Sequence, residues 1–274
     1  MNRLAPYEIV CITDVGRVRT GNEDAVFGEP DLGLAILADG MGGYAAGEVA
    51  SRLAVDEVRS ELSSSLPLLL HKTGADLSRS MHEDMRFAAS RANDSILKMA
   101  DRESDYEGMG STLVIAVMLA EHIYVGHLGD SRTYRYGNGH VEQLTRDHCW
   151  LDEQIAAGIL TADSLTNPRY KNIVTRALGI EDEIDLEVHE YTVEPGDIFL
   201  ICSDGLTDMV KDVQIAAILE LEEPLKVRAQ RLVDMANAHG GKDNISVILM
   251  RVAVDQPRGW ATRLLKRLHG AADA

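Results

Sequence analysis

Four apolar stretches of this chain meet an aspartate at one end, and that arrangement limits the fold more than any other feature. Residues 32–38 read LGLAILA and stop at Asp39; YVGHLGD stops at Asp130; FLICSD stops at Asp204; Asp243 stands just before NISVILM. Runs this short and this apolar fit strands buried on both faces. In an antiparallel sheet the end of one strand lies beside the start of its neighbour, so all four carboxylates can crowd at one end of one core. Carboxylates at that density repel and raise each other's pKa, and cations between them resolve the conflict. The ligand set is all oxygen, which favours Mg2+, Mn2+ or Ca2+ over zinc. Aspartates also cap strands and begin turns. That plain alternative serves for any one of the four, but poorly for all four, three of which adjoin a glycine.

The rest of the chain falls into blocks. Residues 7–13 read as a strand, and the periodicity of Ala50, Leu53, Ala54, Val58 and Leu62 predicts a helix, with a loop or helix end at 63–74. A long polar helix is expected over 76–101. Short apolar runs at 113–120, 123–128, 133–136 and 141–144 read as a meander, turned by Gly137-Asn138-Gly139. A short helix at 150–158 and an irregular excursion at 161–171 follow, then strands at 186–193 and 198–203. Helices at 213–221 and 225–238 and a last strand at 244–254 complete the pattern. Strands and helices in blocks, without strict alternation, argue for an α+β chain built on mostly antiparallel sheet in one domain.

Composition narrows the partners. The 274 residues carry 27 basic and 44 acidic side chains, a net charge of −17, so nucleic acid and anionic membrane should be repelled. Cys11, Cys149 and Cys202 are far apart with no zinc spacing, and suit a reducing compartment; Cys11 and Cys202 sit in apolar runs and read as buried thiols. No signal peptide is evident, and the longest apolar run is far short of the about 20 residues of a transmembrane segment. The expected location is cytoplasmic.

Two loops carry chemistry. In DGMGGYAAGE, residues 40–45 fit the G-x-G-x-x-A dinucleotide pattern, but Asp39 would push away a pyrophosphate and no βαβαβ alternation follows. As a metal loop, its glycines let the backbone turn sharply and present a carbonyl, such as that of Gly40. Ahead of it, TDVGRVRTGNEDA carries Arg17, Arg19, Glu23 and Asp24. Arginine forks onto a phosphate dianion, so two metal ions and an arginine point to hydrolysis of a phosphate ester.

Taken together, TDVGRVRTGNED, ADGMGGYAAGEVAS, GSTLV, GHLGDSR, LTRDH, NIVTRALG, CSDGLTD and KDNISV occur in one order. With these eight motifs, over about residues 8–252, the chain resembles the bacterial metal-dependent Ser/Thr protein phosphatases of type 2C, the PPM family. The resemblance implies an antiparallel β-sandwich flanked by helices on both faces, in four layers. It implies that Asp39 bridges two Mn2+ or Mg2+ ions, that the Gly40 carbonyl completes one shell, and that Asp204 and Asp243 hold the other ion. Asp130 and Asp208, with Asp204, match a weaker third metal position. Asp24 matches a residue that orients water at the metals, with Glu23 a helper, and Arg19 the arginine that grips the substrate phosphate; Arg17 reads as a surface residue. The implied activity is hydrolysis of phosphoserine and phosphothreonine in proteins by metal-activated water, opposing a bacterial Ser/Thr kinase. The other readings are a phosphoprotein-binding scaffold without activity, and a phosphatase for a small phosphoester.

The chain departs from the family at the proton donor. Many bacterial relatives carry histidine at the position of Tyr44, and animal relatives at that of Met41. Tyr44, a water at the metals and His148 are the candidates left, although LTRDH is usually a structural turn. Residues 1–254 read as the catalytic domain, with a substrate-selecting flap at about 150–171. Residues 255–274 form a basic extension whose Trp260, Leu264, Leu265 and Leu268 share a helix face with Arg258, Arg263, Lys266 and Arg267 nearby. It can pack on the acidic domain or dock peripherally on a partner or membrane surface.

Overall fold

A computed structural model of the chain describes residues 7–43, 45–150 and 174–252. Eleven strands among them form two antiparallel sheets. The first contains β1 (Tyr7–Asp14), β7 (Arg132–Gly137), β8 (His140–Gln143), β10 (Ile198–Cys202) and β11 (Ile245–Val252), in the order β1-β11-β10-β7-β8. The second contains β2 (Asp24–Glu29), β3 (Leu34–Met41), β5 (Leu113–Leu119), β6 (His122–Leu128) and β9 (Glu187–Thr192), in the order β2-β3-β5-β6-β9; the short β4 (Gly110–Ser111) also pairs with β3.

Period-two alternation sorts the strand residues between two environments. Ala35, Leu37, Val114, Ala116, Ile123, Val125, Phe199, Ile201, Ile248 and Met250 meet between the sheets. Their neighbours Leu34, Ile36, Ile115, Val117 and Tyr124 turn outward onto α1 (Ala46–Leu69) and α2 (Gly74–Arg102). On the other sheet Leu200, Cys202, Val247 and Leu249 turn outward onto α3 (Asp204–Thr207), α4 (Asp212–Leu219) and α5 (Leu225–Ala238). Strands buried on both faces explain the near-continuous apolar runs. The result is the expected four-layer sandwich, with helices on both outer faces.

The end of helix α1 falls inside the 63–74 stretch expected to hold it: the helix runs to Leu69, because Leu66 and Leu69 continue its buried stripe, and that packing outweighs Pro67 inside the helix. Two local expectations need correction. Strand β3 does not stop before Asp39. It continues to Met41, because β4 supplies a partner for Gly40 and Met41. Cys11 is half-buried rather than buried, whereas Cys202 is fully enclosed. Apart from Trp150, the helix expected at 150–158 lies outside the described residues, as do the 161–171 excursion, Tyr44 and the 255–274 extension.

Candidate active site

The residue that follows each inner-facing apolar series is polar, and these residues gather at one end of the inter-sheet core. On β3 the series Ala35, Leu37 continues with Asp39; on β5, Val114 and Ala116 are preceded by Thr112. On β10, Phe199 and Ile201 continue to Ser203, and on β11, Ile248 is preceded by Ser246. The hydrogen bonds follow this geometry. Ser203 Oγ donates to Asp24 Oδ2 at 2.9 Å and accepts the Ser246 N–H at 3.0 Å. The Asp39 N–H donates to Thr112 Oγ1 at 3.0 Å, which pairs with Ser131 Oγ at 2.9 Å. The Asp39 carbonyl accepts from the Thr112 N–H and from Ser111 Oγ. Asp39 is thereby fixed through its backbone.

Asp204 opens α3 directly after β10, and Asp208 closes that turn by donating its N–H to the Asp204 carbonyl. Asp130 lies between β6 and β7. Beside it Arg132 holds Asp147 of the LTRDH motif in a two-point pair, Nε to Oδ1 at 2.9 Å and Nη2 to Oδ2 at 2.6 Å. Gly40 sits where its backbone passes the Gly47 and Glu23 carbonyls so closely that a Cβ would run into both. Only glycine fits there.

The electrostatics are those of a cluster whose negative charge outweighs the Arg19 and Arg132 side chains at its edge. Burial, then the nearby Asp24, Asp204, Asp130 and Asp243, holds the Asp39 carboxyl well above the usual carboxylate range. Burial and the Asp130, Asp243, Asp208 and Asp24 carboxylates push Asp204 up to about 8. Burial also pushes Asp24 and Asp130 up to about 6, for Asp24 against hydrogen bonds from Ser246, Ser203 and Asp39. The structure therefore brings Asp24, Asp39, Asp130, Asp204, Asp208 and Asp243 within electrostatic reach of one another. Asp24 Oδ1 is buried with no hydrogen-bond partner among the described residues. An all-oxygen donor set with raised carboxylate pKa values and an orphaned carboxylate oxygen fits hard divalent cations.

Arg19 stands at the rim. Its Nη2 donates to Asp243 Oδ2 at 2.7 Å and its Nη1 lies 3.9 Å from Glu23 Oε2. The loop that carries it is clamped by a residue to which sequence reasoning gave no role. Asn244 donates from Nδ2 to the Val15 and Gly21 carbonyls at 3.0 and 2.9 Å, and its Oδ1 accepts the Glu23 N–H at 2.8 Å. The KDNISV motif was visible, but a buried amide bridging about 220 residues of sequence leaves no local signal. His148, weighed as a proton donor, is buried; its Nδ1 accepts the Gly129 N–H at 3.1 Å and its Nε2 lies 3.1 Å from Glu187 Oε1. These are the contacts of a structural residue.

Comparison with known proteins bears on this geometry. The family model "Protein phosphatase 2C" matches residues 17–249. The chain belongs to the protein phosphatase 2C family. This phosphatase is 36% identical over 241 residues to the serine/threonine phosphatase stp of Listeria welshimeri, a match that covers 87% of the chain and 93% of that protein. It superposes on the serine/threonine phosphatase of S. agalactiae with a TM-score of 0.81 at 32% identity, over 90% of the chain and all of that structure. A catalytic domain of the phosphatase PstP, whose structure contains two manganese ions, matches at 31% identity with a TM-score of 0.77, over 90% of the chain and 98% of that domain. The phosphatase is metal-dependent as its family is. No helix among the described residues is long and apolar enough to cross a membrane.

Proposed function

We propose that this phosphatase hydrolyses phosphoserine and phosphothreonine in cytoplasmic proteins, opposing a Ser/Thr kinase, and that Asp39, the Gly40 carbonyl, Asp204 and Asp243 hold two Mn2+ or Mg2+ ions, with Asp130, Asp208 and Asp204 at a third position. The observation that carries this reading is the convergence of buried carboxylates with raised pKa values at one end of the sandwich. When bound there, divalent cations would supply an activated water and offset the charge of the phosphate.

The chain's own residues do the rest. Asp24 orients the nucleophilic water through Oδ1, while Ser203 keeps Oδ2 engaged. Arg19 is half-exposed at the rim and offers a planar fork to two oxygens of the phosphate. Asn244 keeps the Arg19 loop in place. Thr112 and Ser111 hold the Asp39 backbone rigid, so the carboxylate is positioned before substrate arrives. The tail at 255–274 is proposed as a peripheral docking segment, since its basic residues contrast with the acidic remainder.

The test is phosphate release from a phosphothreonine peptide and from a small aryl phosphate, with Mn2+, with EDTA, and in Asp39→Asn. The expected result is metal-dependent release that favours the peptide and is lost in the variant. A folded, Mn2+-binding protein that releases nothing would overturn the catalytic reading, and preference for the aryl phosphate the protein-substrate one.

A further inference from the structure

Away from the aspartates, the inner face of β6 and β9 turns polar at the sheet edge. His127 and Glu187 are paired directly across these strands, and His189 lies two residues along on the Glu187 face. His127 is 1% exposed. Its Nε2 meets the Arg146 carbonyl at 2.9 Å, and a carbonyl accepts only from N–H, so the proton is on Nε2 and Nδ1 carries the lone pair. That Nδ1 is buried with no hydrogen-bond partner among the described residues. Burial, against the Arg146 contact, holds the ring down to about 4, so it is neutral near pH 7.

One ligating atom of each of His127, His148 and Glu187 lies within 4.8 Å of the others. His148 is not a ligand, because Gly129 donates to its Nδ1 and a neutral imidazole has a single lone pair. Its Nε2 therefore bears hydrogen and lies 3.1 Å from Glu187 Oε1, where Arg176 Nη1 also stands at 3.2 Å. These contacts engage Oε1 and leave Oε2, which lies 3.8 Å from His189 Nε2. His189 is half-exposed, and its ring stands beside that of His127, with centroids 6.4 Å apart.

From the orphaned Nδ1 and this arrangement, we infer a second metal site, made by His127 Nδ1, Glu187 Oε2 and His189 Nε2 with water in the fourth position, for a borderline cation of the Zn2+ class. Two imidazoles, one carboxylate and an open position are a recurrent zinc donor set. The surroundings match what such ligands need. Arg146 orients His127 through its far nitrogen, and His148 and Arg176 orient the Glu187 carboxylate. The site differs in kind from the aspartate cluster, which offers oxygen alone. It stands at the root of the segment that precedes residue 174, where the Thr175 N–H bonds the His148 carbonyl. Bound metal would pin β6, β9 and that root together.

The full chain, with excess Mg2+ to fill the oxygen site, is titrated with Co2+ and followed by visible absorption and thermal melting. Four-coordinate Co2+ with nitrogen ligands absorbs strongly, whereas six-coordinate Co2+ in an oxygen site absorbs weakly. The expected result is a strong band and a raised Tm in the wild type and in Asp39→Asn. In His189→Ala and His127→Gln affinity for Co2+ falls by about tenfold or more. His189→Ala, at a half-exposed position, decides the matter if the buried His127→Gln does not fold. No strong band, or one that survives in His189→Ala, or one lost in Asp39→Asn, overturns the site.

Discussion

Asp24 and Asp39 stand directly opposite each other on β2 and β3, partners in one antiparallel ladder. Like charges so placed destabilise a sheet, and here both groups are also buried; the Asp24 charge disfavours ionisation of Asp39, which in turn shares a hydrogen bond with Asp24. Ser203 relieves only one oxygen of Asp24. The fold thus holds a repulsive pair that a cation would relieve.

Asp24→Asn keeps the shape of that side chain and removes one charge. In EDTA the variant should melt at a higher temperature than the wild type. With Mn2+, metal affinity or kcat should fall by about 10- to 100-fold, the usual cost of losing a residue that orients a metal site. Scanning fluorimetry and steady-state kinetics measure the two effects. A variant less stable without metal would refute the repulsion.

The pH dependence of stability follows from the same charges. Unfolded aspartates titrate near 3.9, whereas in the fold Asp24 and Asp130 are pushed up to about 6 and Asp204 up to about 8. The metal-free native state therefore holds protons that the unfolded chain has released. Stability is greatest below the unfolded pKa and is lost as pH rises through the folded values. Each such group contributes a slope of about 1.4 kcal/mol per pH unit inside its window. Urea midpoints in EDTA should therefore decline between about pH 5 and pH 8, and Mn2+, which binds the deprotonated carboxylates, should flatten or reverse the trend. A flat or rising midpoint in EDTA would contradict this.

How much of this was legible in the sequence depended on how local each cause is. The strands around Leu37, Ile201 and Ile248 announce themselves by uninterrupted apolar character, and the aspartates that bound them mark the site. The extension of β3 past Asp39 was not readable, because it depends on a two-residue partner supplied by β4 about 70 residues later. The end of α1 could be placed only within 63–74, because the packing of Leu66 and Leu69 that carries the helix to Leu69 is not a local signal. The same limit hid Asn244, and it hid the pairing of His127 with Glu187, which only the β6–β9 register creates.

Asn244 carries a prediction of its own. Its side chain makes three hydrogen bonds to backbone groups of the loop between β1 and β2, and it is 4% exposed. Asn244→Ala leaves the Glu23 N–H and the Val15 and Gly21 carbonyls without those partners. A buried group left unsatisfied costs about 1–3 kcal/mol, so the variant should lose at least about 2 kcal/mol in urea unfolding. Its kcat should fall as well, because the loop also positions Arg19. Stability lost with kinetics unchanged would separate the clamp from catalysis.

Arg19 separates binding from structure most cleanly. Its ion pair with Asp243 is half-exposed, and such pairs contribute about 0–1 kcal/mol. Arg19→Lys keeps the charge but loses the planar fork that matches two phosphate oxygens. The melting temperature should therefore barely change, while KM for a phosphothreonine peptide rises by about tenfold, roughly the 1.4 kcal/mol that separates one charge-assisted hydrogen bond from two. If Arg19 also stabilises charge that develops on the phosphate during transfer, kcat falls together with kcat/KM. An unchanged KM with a lowered melting temperature would mean that Arg19 serves as a staple between its loop and Asp243, and the phosphate would need another cation at the rim.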